Sequence, residues 1–121
     1  MIGIGVDVVE IERFRTSLAR TPTMRERLFT PVELDYVATM ADPVPSLAVR
    51  FAAREAVMKS LGLGLGAFGF HDVWVERAPS GAPSLGVTGR ARELADAAGV
   101  VRWHVSLTHS DLVAVAYVVA E

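Results

Sequence analysis

The residues best able to do chemistry lie on one stripe of one segment. Phe51, Glu55 and Lys59 are spaced four apart, so on a helix they project from the same side, with Arg50 and Arg54 flanking them. An isolated Glu55–Lys59 pair on a helix surface is worth only about 0.2–0.5 kcal/mol and needs no function. The setting is less ordinary. Gly62-Leu63-Gly64-Leu65-Gly66-Ala67-Phe68-Gly69 follows directly, a loop able to turn tightly and to bring backbone N–H groups and a lysine up to phosphates. It is not a Walker loop, because no Gly-Lys-Ser/Thr closes it and it follows its helix instead of preceding it. Asp7 is the second unusual position. It sits inside an apolar run, where a carboxylate is costly unless it is exposed, paired with an arginine or bound to a cation. If Asp7 and Glu55 converge, they supply the one or two protein carboxylates that a magnesium ion takes, with substrate phosphates and water completing the octahedron.

The three histidines offer less. His104 and His109 are five apart on one expected strand, which sends them to opposite faces and argues against a shared metal. His109-Ser110-Asp111 cannot form a hydrolase relay, since neighbouring side chains do not point at one another. His71, at a strand start, reads as a surface or packing residue. With no cysteine in 121 residues, disulfides, zinc-thiolate sites, iron–sulfur clusters and thiol nucleophiles are all excluded. The opening residues lack a basic leader and no stretch approaches a membrane span, so a cytoplasmic protein without a membrane partner is expected.

Twelve Lys and Arg against 14 Asp and Glu give a net charge of −2, which argues against bulk nucleic-acid binding. The sum hides an asymmetry. Arg13, Arg15, Arg20, Arg25 and Arg27 are opposed locally only by Glu26, so residues 13–27 carry +4 and the rest of the chain −6. Such a segment suits an acidic partner surface or phosphates; it is also what a solvated helix face looks like.

The elements that must position these residues follow from periodicity. Residues 2–9 alternate Ile2, Ile4, Val6, Val8 with small or polar neighbours, the period of a strand with one buried face, and Asp7 points away from that apolar row. Ile11, Phe14 and Leu18 set a helical spacing that ends before Pro22. Thr30-Pro31-Val32-Glu33 combines an N-cap, a proline in the first turn and a capping-box glutamate, predicting a helix through about Met40. Residues 41–45, with two prolines, predict a loop. Ser46 then caps a helix over 47–61 that stops at Gly62. Strands are expected at 72–76 and 83–87 around a turn at Pro79-Ser80-Gly81, a short helix at 89–98 closed by Gly99, and a final hairpin of 100–107 with 112–120. The order β-α-α-α-β-β-α-β-β in a chain of this length describes one α+β domain, residues 1–121, with largely antiparallel pairing.

Three stretches carry a resemblance. Gly3-Ile4-Gly5-Val6-Asp7-Val8-Val9-Glu10-Ile11-Glu12-Arg13-Phe14, Arg50-Phe51-Ala52-Ala53-Arg54-Glu55-Ala56-Val57-Met58-Lys59-Ser60-Leu61-Gly62 and His104-Val105-Ser106-Leu107-Thr108-His109-Ser110 together resemble the holo-acyl-carrier-protein synthases, small phosphopantetheinyl transferases that prime fatty-acid carrier proteins. The resemblance implies a 4'-phosphopantetheinyl transferase-like fold, an antiparallel sheet packed with a long central helix. It makes Asp7 and Glu55 the magnesium ligands and sets Lys59 near the transferred phosphate. Arg50, Lys59, Gly62, Gly64 and His109 form the implied coenzyme A set, and Arg13, Arg20 and Arg27 the face for the acidic helix of an acyl carrier protein. Family members are homotrimers with sites between subunits, so the basic face and the glycine-rich loop are expected to serve neighbouring protomers. Two positions depart from the pattern: Arg54 stands where the family often has lysine, and Leu63 where many relatives have threonine.

The chemistry then expected is transfer of the phosphopantetheine arm of coenzyme A to a carrier serine with release of adenosine 3',5'-bisphosphate. Either Glu55, through a water, or Asp35 takes the serine proton. The contrasting reading is a non-catalytic module whose arginine-rich helix docks an acidic partner and whose Glu55–Lys59 pair is structural.

Overall fold

The structure, a computed structural model, describes residues 1–121. Strand β1 (Gly3–Glu10) runs without a break into helix α1 (Ile11–Arg20), and two short helices follow, α2 (Met24–Leu28) and α3 (Pro31–Val37). The long helix α4 (Val44–Ser60) comes next, then the glycine-rich loop and a single 3-10 turn at Phe70–Asp72. Strands β2 (Val73–Arg77) and β3 (Pro83–Val87), helix α5 (Gly89–Ala98), and strands β4 (Trp103–His109) and β5 (Val113–Ala120) complete the chain. The strands make an antiparallel three-stranded sheet in the order β1-β5-β4 and an antiparallel β2-β3 hairpin. The α+β class and the antiparallel pairing are as expected. No helix is long and apolar enough to cross a membrane.

Helix α4 is the axis of the molecule. Leu47, Ala48, Ala52, Ala53, Ala56 and Val57 along it are fully buried, and the two main clusters of the core divide between its two ends. Its sheet-facing side is rich in alanine, and the strand that meets it presents glycine. Gly3, Gly5, Asp7 and Val9 form the inner row of β1, and a Cβ added at Gly3 would overlap the Ser60 carbonyl oxygen, at Gly5 the Ala56 carbonyl oxygen. The two backbones therefore approach closer than any side-chain-bearing pair could.

This corrects one expectation. The apolar row Ile2, Ile4, Val6, Val8 is 46–58% exposed and lies on the outer face of the sheet, while the glycine row is the one in the core. Other differences are local. Met24–Leu28 forms a helix where none is expected, because Pro22 ends α1 without preventing a fresh start two residues later. Helix α3 stops at Val37, three residues early, although its capping box is present as read: the Thr30 side chain accepts from the Glu33 N–H and Glu33 accepts from the Thr30 N–H. Helix α4 begins at Val44 instead of at 47. Pro45 falls in the first turn, where its missing N–H costs nothing; the N-cap is Pro43, not Ser46, and carries no side-chain cap bond, while Asp42 just before it accepts from the Val44 N–H at 3.2 Å. The last hairpin is shifted toward the C-terminus, with Ser110 Oγ accepting from the N–H groups of Leu112 and Val113.

Candidate functional site

The close approach of β1 to α4 places Asp7 beside the Glu55–Lys59 stripe. Lys59 Nζ donates to Asp7 Oδ1 at 3.0 Å and to the Val6 carbonyl at 3.1 Å. Glu55, one turn back, lines the same groove as Asp7, a space of about 440 Å³. Its pKa is pushed up by burial first and by the negative charge of Asp7 second, with Lys59 pulling it down. Two carboxylates crowded this way beside one lysine are an unfinished electrostatic arrangement, which a divalent cation or a cationic substrate group would complete. Nowhere do three or more His, Asp or Glu side chains gather to hold a metal unaided. The pair fits magnesium, which takes one or two carboxylates and fills its remaining positions with water and phosphate oxygens.

The rest of the groove is divided by chemistry. Glu10 and Arg13 extend its polar side; Phe14, Phe51 and Met24 form an apolar wall, with the rings of Phe14 and Phe51 5.4 Å apart. Phe51 thus shares the stripe with Glu55, as its spacing suggests, but its ring belongs to the wall.

Asp35 and Arg50 are not part of this groove. They line a separate hollow of about 660 Å³ between α3 and β2, together with Tyr36, Glu76 and Arg77. Arg50 is 1% exposed, its guanidinium stands 4.6 Å over the Tyr36 ring, and Nη1 donates to the Ser46 carbonyl at 3.1 Å. Burial lowers its pKa, and the like charge of Arg77 adds to that. Gly62 and Gly64 stand at the far end of α4. Gly62 has φ +71°, the left-handed residue that ends the helix, and its N–H returns to the Lys59 carbonyl, so glycine has a conformational reason of its own there. His109 closes β4 in the same cross-strand row as Ala114 and Val9, while His104 shares a row with Val119 and Ile4 on the opposite face.

The basic segment is less uniform than its sequence. Arg15 is clamped by Asp42 through both terminal guanidinium nitrogens at 2.8 and 2.9 Å and by Glu12 at 3.1 Å, which holds the Asp42 carboxyl below its ordinary range. Arg13, Arg20, Arg25 and Arg27 make no salt bridge.

One buried pair was not visible in the sequence. Glu33, the capping-box residue of α3, is fully buried and also receives both terminal nitrogens of Arg54, while Arg54 Nε donates to the Phe70 carbonyl at 2.8 Å and the Val75 N–H donates to Glu33 at 3.0 Å. This pair ties α3, α4 and β2 together. The signal available was the capping motif at Glu33 and an arginine inside an apolar helix, but nothing linked positions 33 and 54.

The chain matches the family model described as the 4'-phosphopantetheinyl transferase superfamily over residues 3–118. It is 50% identical to a holo-[acyl-carrier-protein] synthase of Streptomyces avermitilis over 122 residues, covering all of this chain and 98% of that one. Among solved structures, the holo-[acyl-carrier-protein] synthase of Neisseria meningitidis superposes with a TM-score of 0.90 at 30% identity, covering 100% of this chain and 98% of the other. The Helicobacter pylori synthase, solved in complex with coenzyme A, superposes with a TM-score of 0.85 at 28% identity, covering 98% and 99%. The non-catalytic reading falls with this result: a chain matched over its whole length, with Asp7 and Glu55 in one groove and Lys59 bonded to Asp7 at the β1–α4 contact, belongs to an enzyme of the 4'-phosphopantetheinyl transferase superfamily.

Proposed function

We propose that this chain is a holo-acyl-carrier-protein synthase, moving 4'-phosphopantetheine from coenzyme A to a serine of an apo acyl carrier protein for fatty-acid synthesis. The observation that carries this reading is the convergence of Asp7 and Glu55, from strand β1 and helix α4, on one open groove, with Lys59 bonded to Asp7 beside it. The new bond joins the serine oxygen to the phosphorus bearing pantetheine, the pyrophosphate P–O bond breaks, and adenosine 3',5'-bisphosphate leaves.

Asp7 and Glu55 would hold magnesium, which when bound supplies charge neutralisation to the pyrophosphate and to the departing phosphate. Lys59, half exposed and anchored on Asp7 and the Val6 carbonyl, lies where its ammonium can turn to the charge that develops on the transferred phosphoryl oxygens. Glu55 is the better of the two candidate bases. Its raised pKa suits acceptance of the serine proton through a water, and it shares the groove with Asp7, whereas Asp35 faces the other hollow. Arg13, Arg20 and Arg27, free of internal partners, are proposed to receive the acidic helix of the carrier. Arg50, Gly62, Gly64 and His109 remain the proposed coenzyme A contacts. Arg50 lines a different hollow from Asp7, which is consistent with sites completed between subunits.

The proposed assembly is a homotrimer of single-domain chains in the cytoplasm. Its support is the outer face of the three-stranded sheet, where Ile4, Val6, Val8 and Tyr117 are 45–58% exposed, an apolar row of the kind that marks protein–protein contacts.

Intact mass spectrometry of an apo acyl carrier protein incubated with the enzyme, coenzyme A and magnesium tests the proposal, with a serine-to-alanine carrier as control. A gain of one phosphopantetheine on the serine carrier alone is expected. Asp7→Ala and Glu55→Ala should fold and fail to turn over; full activity in either would overturn the metal assignment, and no transfer to several carriers would overturn the function.

A further inference from the structure

His71 makes a contact that neither the groove nor the core requires. Its Nε2 lies 2.6 Å from the backbone carbonyl oxygen of Glu26 in α2, forty-five residues away. A carbonyl only accepts, so Nε2 carries the proton and donates. The Glu26 carbonyl is available because of the capping box. In a continuing helix its donor would be the Thr30 N–H, but that N–H is committed to Glu33 Oε1 at 3.0 Å.

Helix α2 has five residues, far below the length at which a helix holds itself together. Leu28 and the following Phe29 are buried and pin its C-terminal end. The polar link from His71 fixes its exposed side, and that link rises from a rigid base. On one side of His71, the Phe70 carbonyl accepts from buried Arg54; on the other, Asp72 accepts from the N–H groups of Thr88 and Ala91. The same short helix walls the groove through Met24 and carries Arg27, exposed and without a salt bridge.

We propose that His71 is a positioning residue for the carrier protein: by donating to the Glu26 carbonyl it fixes α2, and with it the place at which Arg27 meets the acidic partner. The inference rests on the carrier-docking reading of Arg13, Arg20 and Arg27. It also ties that face to the segment that leaves the glycine-rich loop, since His71 lies two residues after Gly69.

Steady-state kinetics with the full-length enzyme, varying apo acyl carrier protein at saturating coenzyme A and then the reverse, tests it on His71→Ala, His71→Gln, Arg27→Ala and the His71→Ala/Arg27→Ala double variant. His71→Ala should raise the carrier KM about twofold to tenfold, the equivalent of one net hydrogen bond, a larger change than in kcat or the coenzyme A KM. Glutamine offers a side-chain N–H at similar reach and should restore the carrier KM. In the Arg27→Ala background, His71→Ala should add nothing. A wild-type carrier KM in His71→Ala, while Arg27→Ala raises it, overturns the role of His71 and leaves the docking face standing. No effect of either variant overturns the docking face itself. An equal rise in both KM values, or full additivity in the double variant, overturns positioning through Arg27, and equal loss in the alanine and glutamine variants overturns the donor argument.

Discussion

Replacing Gly5 by alanine tests the contact that builds the site. At an ordinary strand position the change stabilises by about 0.4–1 kcal/mol, because the unfolded chain loses freedom. At Gly5 the new Cβ would overlap the Ala56 carbonyl oxygen and stand 2.8 Å from the Ser60 nitrogen. Both are backbone atoms of a buried helix and cannot swing aside. Ordinary heavy-atom contact is about 3.5–4.0 Å, so β1 must retreat from α4 by on the order of 1 Å. Overpacking of this kind costs about 1–3 kcal/mol, leaving a net loss of up to about 2.6 kcal/mol, about 1.3 kcal/mol at mid-range, after the chain-entropy gain. For a domain of this size each kcal/mol moves Tm by roughly 3–6 °C. The larger effect should be catalytic. Asp7 is two residues along the same inner row and retreats with the strand, and a misplacement near 1 Å at a reacting centre costs about a hundredfold in rate. Thermal unfolding and the carrier mass-shift rate should fall together. Gly64→Ala is the stability control: nothing lies within 4 Å of its added Cβ and its φ is not left-handed, so stability should hold or rise by up to about 1 kcal/mol. A Gly5→Ala enzyme with Tm at or above wild type and undiminished turnover would refute the argument that backbone proximity sets the site.

The other predictions concern charge and assembly. Because burial and Asp7 push the Glu55 pKa up, its contribution to stability is full below the ordinary glutamate value of about 4.3 and is lost as pH rises through the raised value. Glu55→Gln should therefore raise the Tm of the metal-free protein at neutral pH and lose that advantage in acid; calorimetry across pH showing a pH-independent difference would sink this. Glu33→Ala leaves the fully buried Arg54 without a counter-charge and the Val75 N–H without an acceptor, so urea unfolding should show a loss of about 3–5 kcal/mol, and a loss below about 1 kcal/mol would mean the pair is not what joins α3 to α4. Val6→Lys places a charge in the exposed apolar row and should convert the proposed trimer to folded monomers by light scattering, with an unchanged mass counting against that face.

The path of the chain was largely legible because most elements carry strong local signals. The capping box at Thr30, the glycine after α4 and the left-handed Gly99 that ends α5 each mark a boundary through a backbone conformation or an unpaired N–H that only certain residues satisfy. The misread boundaries lie where two local rules compete. Pro43 and Pro45 argue for a loop by their effect on the preceding residue, yet Pro45 is also an acceptable first-turn residue, and Asp42 decides the matter from outside the helix. Of the site, the Phe51-Glu55-Lys59 stripe could be read from its spacing. The distance of Asp35 and Arg50 from Asp7 could not, since it depends on how α3 packs across β2.

The inversion of β1 shows what an alternating pattern does and does not encode. A row of Ile2, Ile4, Val6 and Val8 says that this face avoids water, without saying what covers it. Within one chain it is covered by nothing, and the core takes the row that looks least like a core, Gly3, Gly5, Asp7 and Val9. The two facts have one explanation if the outer row is buried against other copies of the chain. Glycine on the inner face then serves proximity, because it lets the strand and helix backbones touch. Asp7 and Lys59, fifty-two residues apart in sequence, meet at 3.0 Å because no side chain from Gly3 or Gly5 holds their elements apart. Large side chains on the inner face would have made a thicker core and a wider gap, out of reach of that ion pair. One strand thus divides its residues by task, the apolar ones forming the outer face proposed for assembly and the smallest ones setting the distance at which the site forms.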